Sequence, residues 1–275
     1  MKRKDWKIKF LIGIIITIAL IWTIVPIFWI LSTSFKTPTE QFTIPPTLFP
    51  REFTLQNYIN FFTRSDLIRK FFNSILVTTT STIISLILGI PGAYALARFN
   101  FKHTNLLSFI ILLARMMPPI VMVVPFFMIT RFLNLSDSYI PIIIASSFLS
   151  APFAVWMMRG FFAEVPESIE EAAMIDGSTR FQALYKVVLP LVLPGTAATA
   201  ILCAIIAWNQ FLFALILTGP STGTLPILVS MFITEKNIDW GIMSAAAIIT
   251  VIPMVVFGLL VQNNLIRGLT VGSFR

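Results

Sequence analysis

Six stretches of this sequence stay apolar for long enough to cross a lipid bilayer, at residues 8–31, 71–97, 106–130, 140–158, 191–218 and 241–261. About 20 apolar residues suffice for one helical crossing. Charged residues make up only 12% of the chain, about half the ~25% of a soluble domain. Lipid offers the backbone no hydrogen-bond partner, so each crossing has to close its own N–H and C=O groups as a helix. The chain therefore reads as an all-α, polytopic membrane protein with six transmembrane helices.

The first run follows Lys2, Arg3, Lys4, Lys7 and Lys9, as a signal peptide would. It is too long for an h-region of roughly 7–15 residues and lacks a small-residue cleavage site, so it stays as a first crossing. Pro26 is placed to kink it near its far end. Residues 32–70 then form a polar insertion. Pro38, Pro45, Pro46 and Pro50 favour an extended loop in its first half. Tyr58, Ile59, Phe61, Phe62, Leu67 and Ile68 among charges suggest an interfacial helix in 55–72. The division expected is 1–70 for the first helix and its loop, and 71–275 for a second domain holding the remaining crossings.

An even number of crossings puts both termini on one side. Arg98, Lys102, Arg159, Arg180, Lys186, Arg267 and Arg275 join the basic amino terminus there, against Lys36, Arg51, Arg64, Arg69, Lys70, Arg131 and Lys236 opposite. That bias makes both ends cytoplasmic. The net charge of +8 is spread over segment ends and does not form the stripe that nucleic acid requires.

Chemistry is sparse. Cys203 is the single cysteine and lies in an apolar run, and His103 is the single histidine, read as a solvated loop residue beside Lys102 and Asn105. No Cys- or His-based metal site is expected, and no cofactor. Without G-x-x-x-x-G-K-[ST] the chain has no P-loop for ATP. Residues 219–223, Gly-Pro-Ser-Thr-Gly, match the nucleophile-elbow pattern but lack its strand, helix and histidine. The chain is read as no enzyme.

The informative segment is the polar loop between the fourth and fifth crossings, 162–190. Pro166 can open a helix, Glu164, Glu167, Glu170 and Glu171 suit its positive end, and Gly177 can close it. Val165, Ile169, Ala172 and Ala173 recur at helical spacing. A second helix can start with Ser178 as N-cap, carrying Phe181, Leu184, Tyr185, Val188 and Leu189 on one face until Pro190 breaks it. Small residues would let another protein approach closely, and Glu171 and Asp176 would offer it charge. The same pattern also suits an amphipathic hairpin packed on its own bundle.

Glu171-Ala172-Ala173, Gly177, Val187, Leu189 and Pro190 resemble the EAA motif of ABC-importer permeases, with valine where isoleucine is usual. Ser34-Phe35-Lys36-Thr37-Pro38, Leu55-Gln56-Asn57-Tyr58, Ile175-Asp176-Gly177, Trp208-Asn209, Thr224-Leu225-Pro226 and Arg267-Gly268-Leu269-Thr270 extend the likeness to carbohydrate-class permeases of the maltose type. The tail departs from them at Ser273-Phe274-Arg275. The resemblance implies an inner-membrane subunit importing a sugar or oligosaccharide, or alternatively a polyol or glycerol phosphate. It implies as partners a second homologous permease in a heterodimer, two ATP-binding subunits and an extracytoplasmic solute-binding protein. Glu171, Ala172, Ala173, Asp176 and Gly177 would form the cytoplasmic coupling helix, and the rod 165–177 would turn spans three to six when the ATPases close.

Two polar features lie at membrane depth. Arg115, inside the third crossing, needs a partner there, which carbonyls freed by Pro118 and Pro119 could supply, in a structural or a pathway role. Trp208, Asn209 and Gln210 offer a sugar an aromatic face and amides, or else serve an interhelical hydrogen bond. The loop 219–240 should meet the binding protein, with 225–233 either inserted or lying at the interface. A self-contained secondary transporter would need acidic relay residues in its spans, and a lipid-acting enzyme a nucleophile or acid pair; neither set is present.

Overall fold

The computed structural model describes residues 2–99, 102, 104–232 and 238–271. His103, Lys236 and Ser273 to Arg275 lie outside the described residues. Among the described residues every regular element is helical. The chain divides into two compact units, Met1–Ile68 with Leu228–Val251, and Arg69–Ile227 with Ile252–Arg275.

In the first unit, α1 (Lys2–Ser34) continues as one helix through Pro26. Its apolar side chains, Trp22 among them, are exposed along most of its length. The proline-rich stretch after it is not a plain extended loop. Ser34, Lys36, Glu40 and Asn57 are all buried, and each buried polar group must find a partner or cost free energy. The Asn57 amide donates to the carbonyls of Ser34 (2.9 Å) and Lys36 (3.0 Å). Lys36 Nζ donates to the Thr47 carbonyl and lies 4.7 Å from the centre of the Trp29 ring. Glu40 Oε1 accepts from Thr47 Oγ1 (2.7 Å) and the Arg51 N–H (2.8 Å). Desolvation works against the charged Glu40, but these bonds, the Glu52 N–H and the Lys36 charge outweigh it and hold the carboxyl below its ordinary value. The expected interfacial helix is two elements: α2 (Gln56–Thr63) ends before Arg64, and α3 (Ser65–Arg98) begins directly after it.

In the second unit, α3 packs on α6 (Tyr139–Glu164) through small residues. Ser85 Oγ meets Ser150 Oγ at 2.8 Å, and Ser81 Oγ donates to the Ile143 carbonyl at 3.2 Å. One turn further along α3, a Cβ on Gly89 would stand 2.6 Å from the Ala154 Cβ. Small side chains are what allow two membrane helices to approach this closely. Between these helices, α4 (Thr104–Met116) and α5 (Pro119–Phe132) meet at an angle of 88°. The third apolar run is thus a broken one, because Pro118 is held at φ −60°, ψ 129° and Pro119 opens the next helix. An apolar hollow of about 460 Å³ lies between α3, α4 and α6, lined by Leu88, Ile110, Ala114, Phe148 and Val155 among others.

The entry into the fifth apolar run is also jointed. α8 (Arg180–Ala183) continues through a π turn, Leu184–Val188, into α9 (Leu189–Leu191). The chain then bends by 84° into α10 (Leu193–Trp208), so the break falls at Val192 and not at Pro190. Pro190 lies inside the helical stretch, directly after the π turn whose closing bond runs from the Leu189 N–H to the Leu184 carbonyl. After α11 (Leu212–Leu217) comes α12 (Leu225–Met231), and α13 (Trp240–Val271) closes the chain. Among the described residues, four helices are long and apolar enough to cross a membrane, or up to six if each bent pair is one crossing.

Candidate functional site

Between α6 and α8 the chain forms the hairpin that its glutamates and glycine promised. α7 (Glu167–Ile175) follows Pro166, with Glu167 and Glu170 in its first turn. It ends at Gly177, whose φ of +91° is a left-handed conformation that glycine adopts without strain. The Gly177 N–H donates to the Met174 carbonyl (3.1 Å) and the Ser178 N–H to the Ala173 carbonyl (3.0 Å). This pair of bonds is a Schellman closure of the helix end. The next N-cap is Thr179, one residue later than the expected Ser178. Thr179 and Gln182 form a reciprocal capping box, with the Thr179 N–H donating to Gln182 Oε1 (2.9 Å) and the Gln182 N–H to Thr179 Oγ1 (3.3 Å).

The buried face of α7 is set by Glu170 and Ala173. Arg98, at the end of α3, donates from Nε to Glu170 Oε1 (2.5 Å) and from its NH2 to the Val165 carbonyl (2.7 Å). Tyr94, one turn earlier, donates from its hydroxyl to Glu170 Oε2 (2.8 Å). The Arg98 and Glu170 side chains are only 5% and 6% exposed. Around them Ile90, Ala93, Tyr94, Met158, Phe162, Val165, Leu184 and Val188 form one apolar cluster contributed by α3, α6 and the π turn. Two charges can lie in such a cluster because each carboxylate oxygen has a donor and the guanidinium has acceptors.

Glu171, Ala172 and Asp176 are exposed on the other side of α7, and so is Gly177, while Ala173 is buried. The structure therefore gathers the expected residues on one helix and divides them between two faces. Ile175 is 86% exposed and Phe181 68%, so apolar surface accompanies these charges. Of the face expected on the second helix, Leu184 and Val188 are buried, whereas Phe181 and Tyr185 are exposed. Glu170, Arg98 and Tyr94 were not among the expected residues. Arg98 had looked only like a topology signal, and of two adjacent glutamates nothing local says which turns inward.

Arg115 finds a different partner from the one expected. Its guanidinium stands 4.4 Å from the centre of the Phe153 ring on α6, a cation–π contact, in place of carbonyls near Pro118 and Pro119. Trp208 is buried at the end of α10. With Ser74, Thr78, Ile142, Gln210 and Thr224 it lines a void too narrow for a water molecule. The side-chain amides of Asn209 and Gln210 donate to the carbonyls of Ile205 (2.9 Å) and Ile206 (3.1 Å) in the last turn of α10. In this state the two amides cap a helix that stops at Trp208 and resumes at Leu212.

A second polar cluster sits around the other end of α3, about 37 Å from Arg98 at 1.5 Å per residue. Asp137 Oδ1 accepts from Thr222 Oγ1 (2.8 Å) and the Thr222 N–H (3.0 Å), and Oδ2 accepts from Ser221 Oγ. The Ser221 hydroxyl bond, joined by the bonds from Thr222 and the two backbone N–H groups, outweighs desolvation and lowers the Asp137 carboxyl to about 2. Asn73 donates to the carbonyls of Ser221 (2.9 Å) and Gly223 (2.8 Å), and accepts from the Tyr139 hydroxyl (2.8 Å). The Leu225 N–H donates to Ser74 Oγ (2.8 Å), and Leu225 is fully buried.

Comparison with known proteins agrees with this architecture. Residues 85–271 match the family described as "Binding-protein-dependent transport system inner membrane component". The chain is 38% identical over 251 residues to the sulfoquinovosyl glycerol transport system permease protein SmoH of Agrobacterium fabrum, covering 91% of this chain and 88% of the relative. It is 36% identical over 263 residues to the trehalose transport system permease protein SugB of Mycobacterium tuberculosis, covering 94% and 95%. Its fold matches a chain in the crystal structure of a bacterial ABC transporter for the acidic polysaccharide alginate, with a TM-score of 0.81, 25% identity and coverage of 95% and 97%. A helical chain with four to six possible crossings, a capped hairpin tied to the end of one of them, and these likenesses over nearly its whole length belongs to the binding-protein-dependent transport permeases, the membrane subunits of ABC importers.

Proposed function

We propose that this chain is one of two homologous permeases lining the path of a sugar or oligosaccharide importer, with ATP hydrolysed on two separate subunits. The observation that carries the reading is α7 itself. One face of it is fixed to the chain's own bundle by Glu170, and the opposite face offers Glu171, Ala172 and Asp176 beside exposed Ile175 and Phe181. A helix held so firmly from behind and bare in front suits a socket on another protein. The names of the relatives, which carry sulfoquinovosyl glycerol and trehalose, support a sugar-containing solute.

In this reading α4 with α5 makes one crossing and α10 with α11 another, giving six, and both termini face the cytoplasm of the inner membrane with the α7 hairpin. Residues 71–275 make up the permease domain after an N-terminal helix and loop at 1–70. Glu171, Ala172, Ala173, Asp176 and Gly177 engage the ATPase, Glu171 through a charge-assisted bond to a basic residue. Residues 219–223 and 32–55 face an extracytoplasmic solute-binding protein. Trp208, Asn209, Gln210 and Arg115 are assigned to the solute path, where opening would free the two amides from their capping bonds. Closing of the ATPases then favours one of two arrangements of the bundle.

The test is reconstitution in proteoliposomes with the partner permease, the two ATPases and the binding protein. Uptake of a labelled sugar should require ATP and every component. Uptake by the purified chain alone would refute the reading.

A further inference from the structure

Resting on that reading, we propose that Arg98, Glu170 and Tyr94 form a latch that makes α7 and the end of α3 one moving body, so that the second crossing receives the thrust of the ATPases directly. The motif reading instead put the moving part in spans three to six. Glu171, the motif glutamate, faces outward, whereas the preceding Glu170 reaches a helix 72 residues away in sequence.

Three features distinguish this contact from ordinary packing. First, all its bonds converge on one carboxylate and one guanidinium: both oxygens of Glu170 are taken, one by each of two α3 residues a turn apart, and Arg98 also holds the Val165 carbonyl just before α7. Bonds to both ends of the α6–α7 connection oppose sliding and tilting alike. Second, water is kept out, since both charged side chains are almost fully buried and the Tyr94 ring stands edge-on to Phe162 at 5.8 Å. A charge-assisted bond in such surroundings is stronger than one in water. Third, Arg180 of the second hairpin helix lies 5.1 Å from the centre of the Phe99 ring, which itself packs edge-on to Tyr94 at 6.3 Å, so both arms of the hairpin converge on the same end of α3. These are positioning residues: they act on the solute path only through the helix they hold.

Two measurements on the reconstituted complex decide it. With spin labels at Ile87→Cys on α3 and Ile175→Cys on α7, the distance should stay constant between the nucleotide-free and ATP-trapped states. A change larger than one helical turn, about 5.4 Å, means the two helices move separately and overturns the proposal without any latch variant being needed. With Glu170→Gln, and with the paired Glu170→Gln and Arg98→Gln variant that leaves no unmatched charge, solute carried per ATP hydrolysed should fall about tenfold, within the range that residues along a coupling path carry. An unchanged ratio in the paired variant overturns the latch while leaving the importer reading intact. Failure of the wild-type chain to bind any ATPase would instead remove the importer reading.

Discussion

Arg98 Nε and Glu170 Oε1 meet at 2.5 Å across 72 residues of sequence, with neither side chain appreciably exposed. Removing one partner leaves the other charge buried without compensation, which costs about 3–5 kcal/mol. Glu170→Ala should therefore lower the thermal midpoint of the detergent-solubilised permease sharply. Replacing both together, as Glu170→Leu with Arg98→Met, should recover most of the loss. Equal midpoints for the single and double variants would mean that the charges are not coupled.

The neighbouring Glu171 should behave in the opposite way. It is exposed, so Glu171→Lys should change stability by no more than about 0.5 kcal/mol. The amount of ATPase subunit recovered with the tagged permease should nevertheless drop severely. Full recovery of the ATPase with that variant would remove Glu171 from the interface.

Gly177 has φ +91° and open space where a side chain would stand. Substitution there strains the backbone alone, by about 1–2 kcal/mol for Gly177→Ala. Gly177→Asn should cost less, because asparagine tolerates the left-handed region. Midpoints ordered glycine, asparagine, alanine in thermal denaturation would agree with this, and any other order would not.

Gly89 presents the converse case, with ordinary backbone and no room. Its Cβ would meet that of Ala154 at 2.6 Å and the Ala154 carbonyl carbon at 3.3 Å. Gly89→Ala should separate α3 from α6 at a cost of about 1–3 kcal/mol, with a larger loss for Gly89→Val. Expression yield and thermal midpoint both report it; a neutral Gly89→Val variant would contradict the close approach.

Asp137 carries a pH signature. Its folded carboxyl is lowered to about 2 from an ordinary 3.8, so the stability it confers is complete above the ordinary value and is lost as pH falls toward the folded one. The difference in midpoint between wild type and Asp137→Asn should stay constant from neutral pH to near 3.8, then shrink. A difference that vanishes between pH 5 and 7 would point to another group. The group is surface-exposed, so the effect is modest and weakens with salt.

How much of this was legible beforehand follows the range of the forces involved. Hydropathy located the four long apolar helices but not the breaks in the third run and at the start of the fifth, and Glu167, Gly177 and Pro166 marked α7 to within two residues, because capping and dipole effects are local. The same local signals misplaced the second helix start, since Ser178 and Thr179 are both good caps and only the reciprocal Gln182 bond chooses between them. Pro190 was read as a breaker, but it sits in the first turn of α9, where its missing N–H is tolerated, and the bend falls at Val192. Arg98 and Glu170 remained hidden because nothing in a single sequence reports a contact 72 residues apart. The buried knot around Lys36 and Glu40 was hidden for the same reason, appearing only as prolines in a polar stretch.

The right-angled joint at Met117 and Pro118 also bears on how the protein is made. α4 has 13 residues and α5 has 14, about 20 Å of helix each, well short of a hydrocarbon core ~30 Å thick. Neither arm is long enough to cross by itself, so if this run is a crossing, both arms have to enter the lipid together.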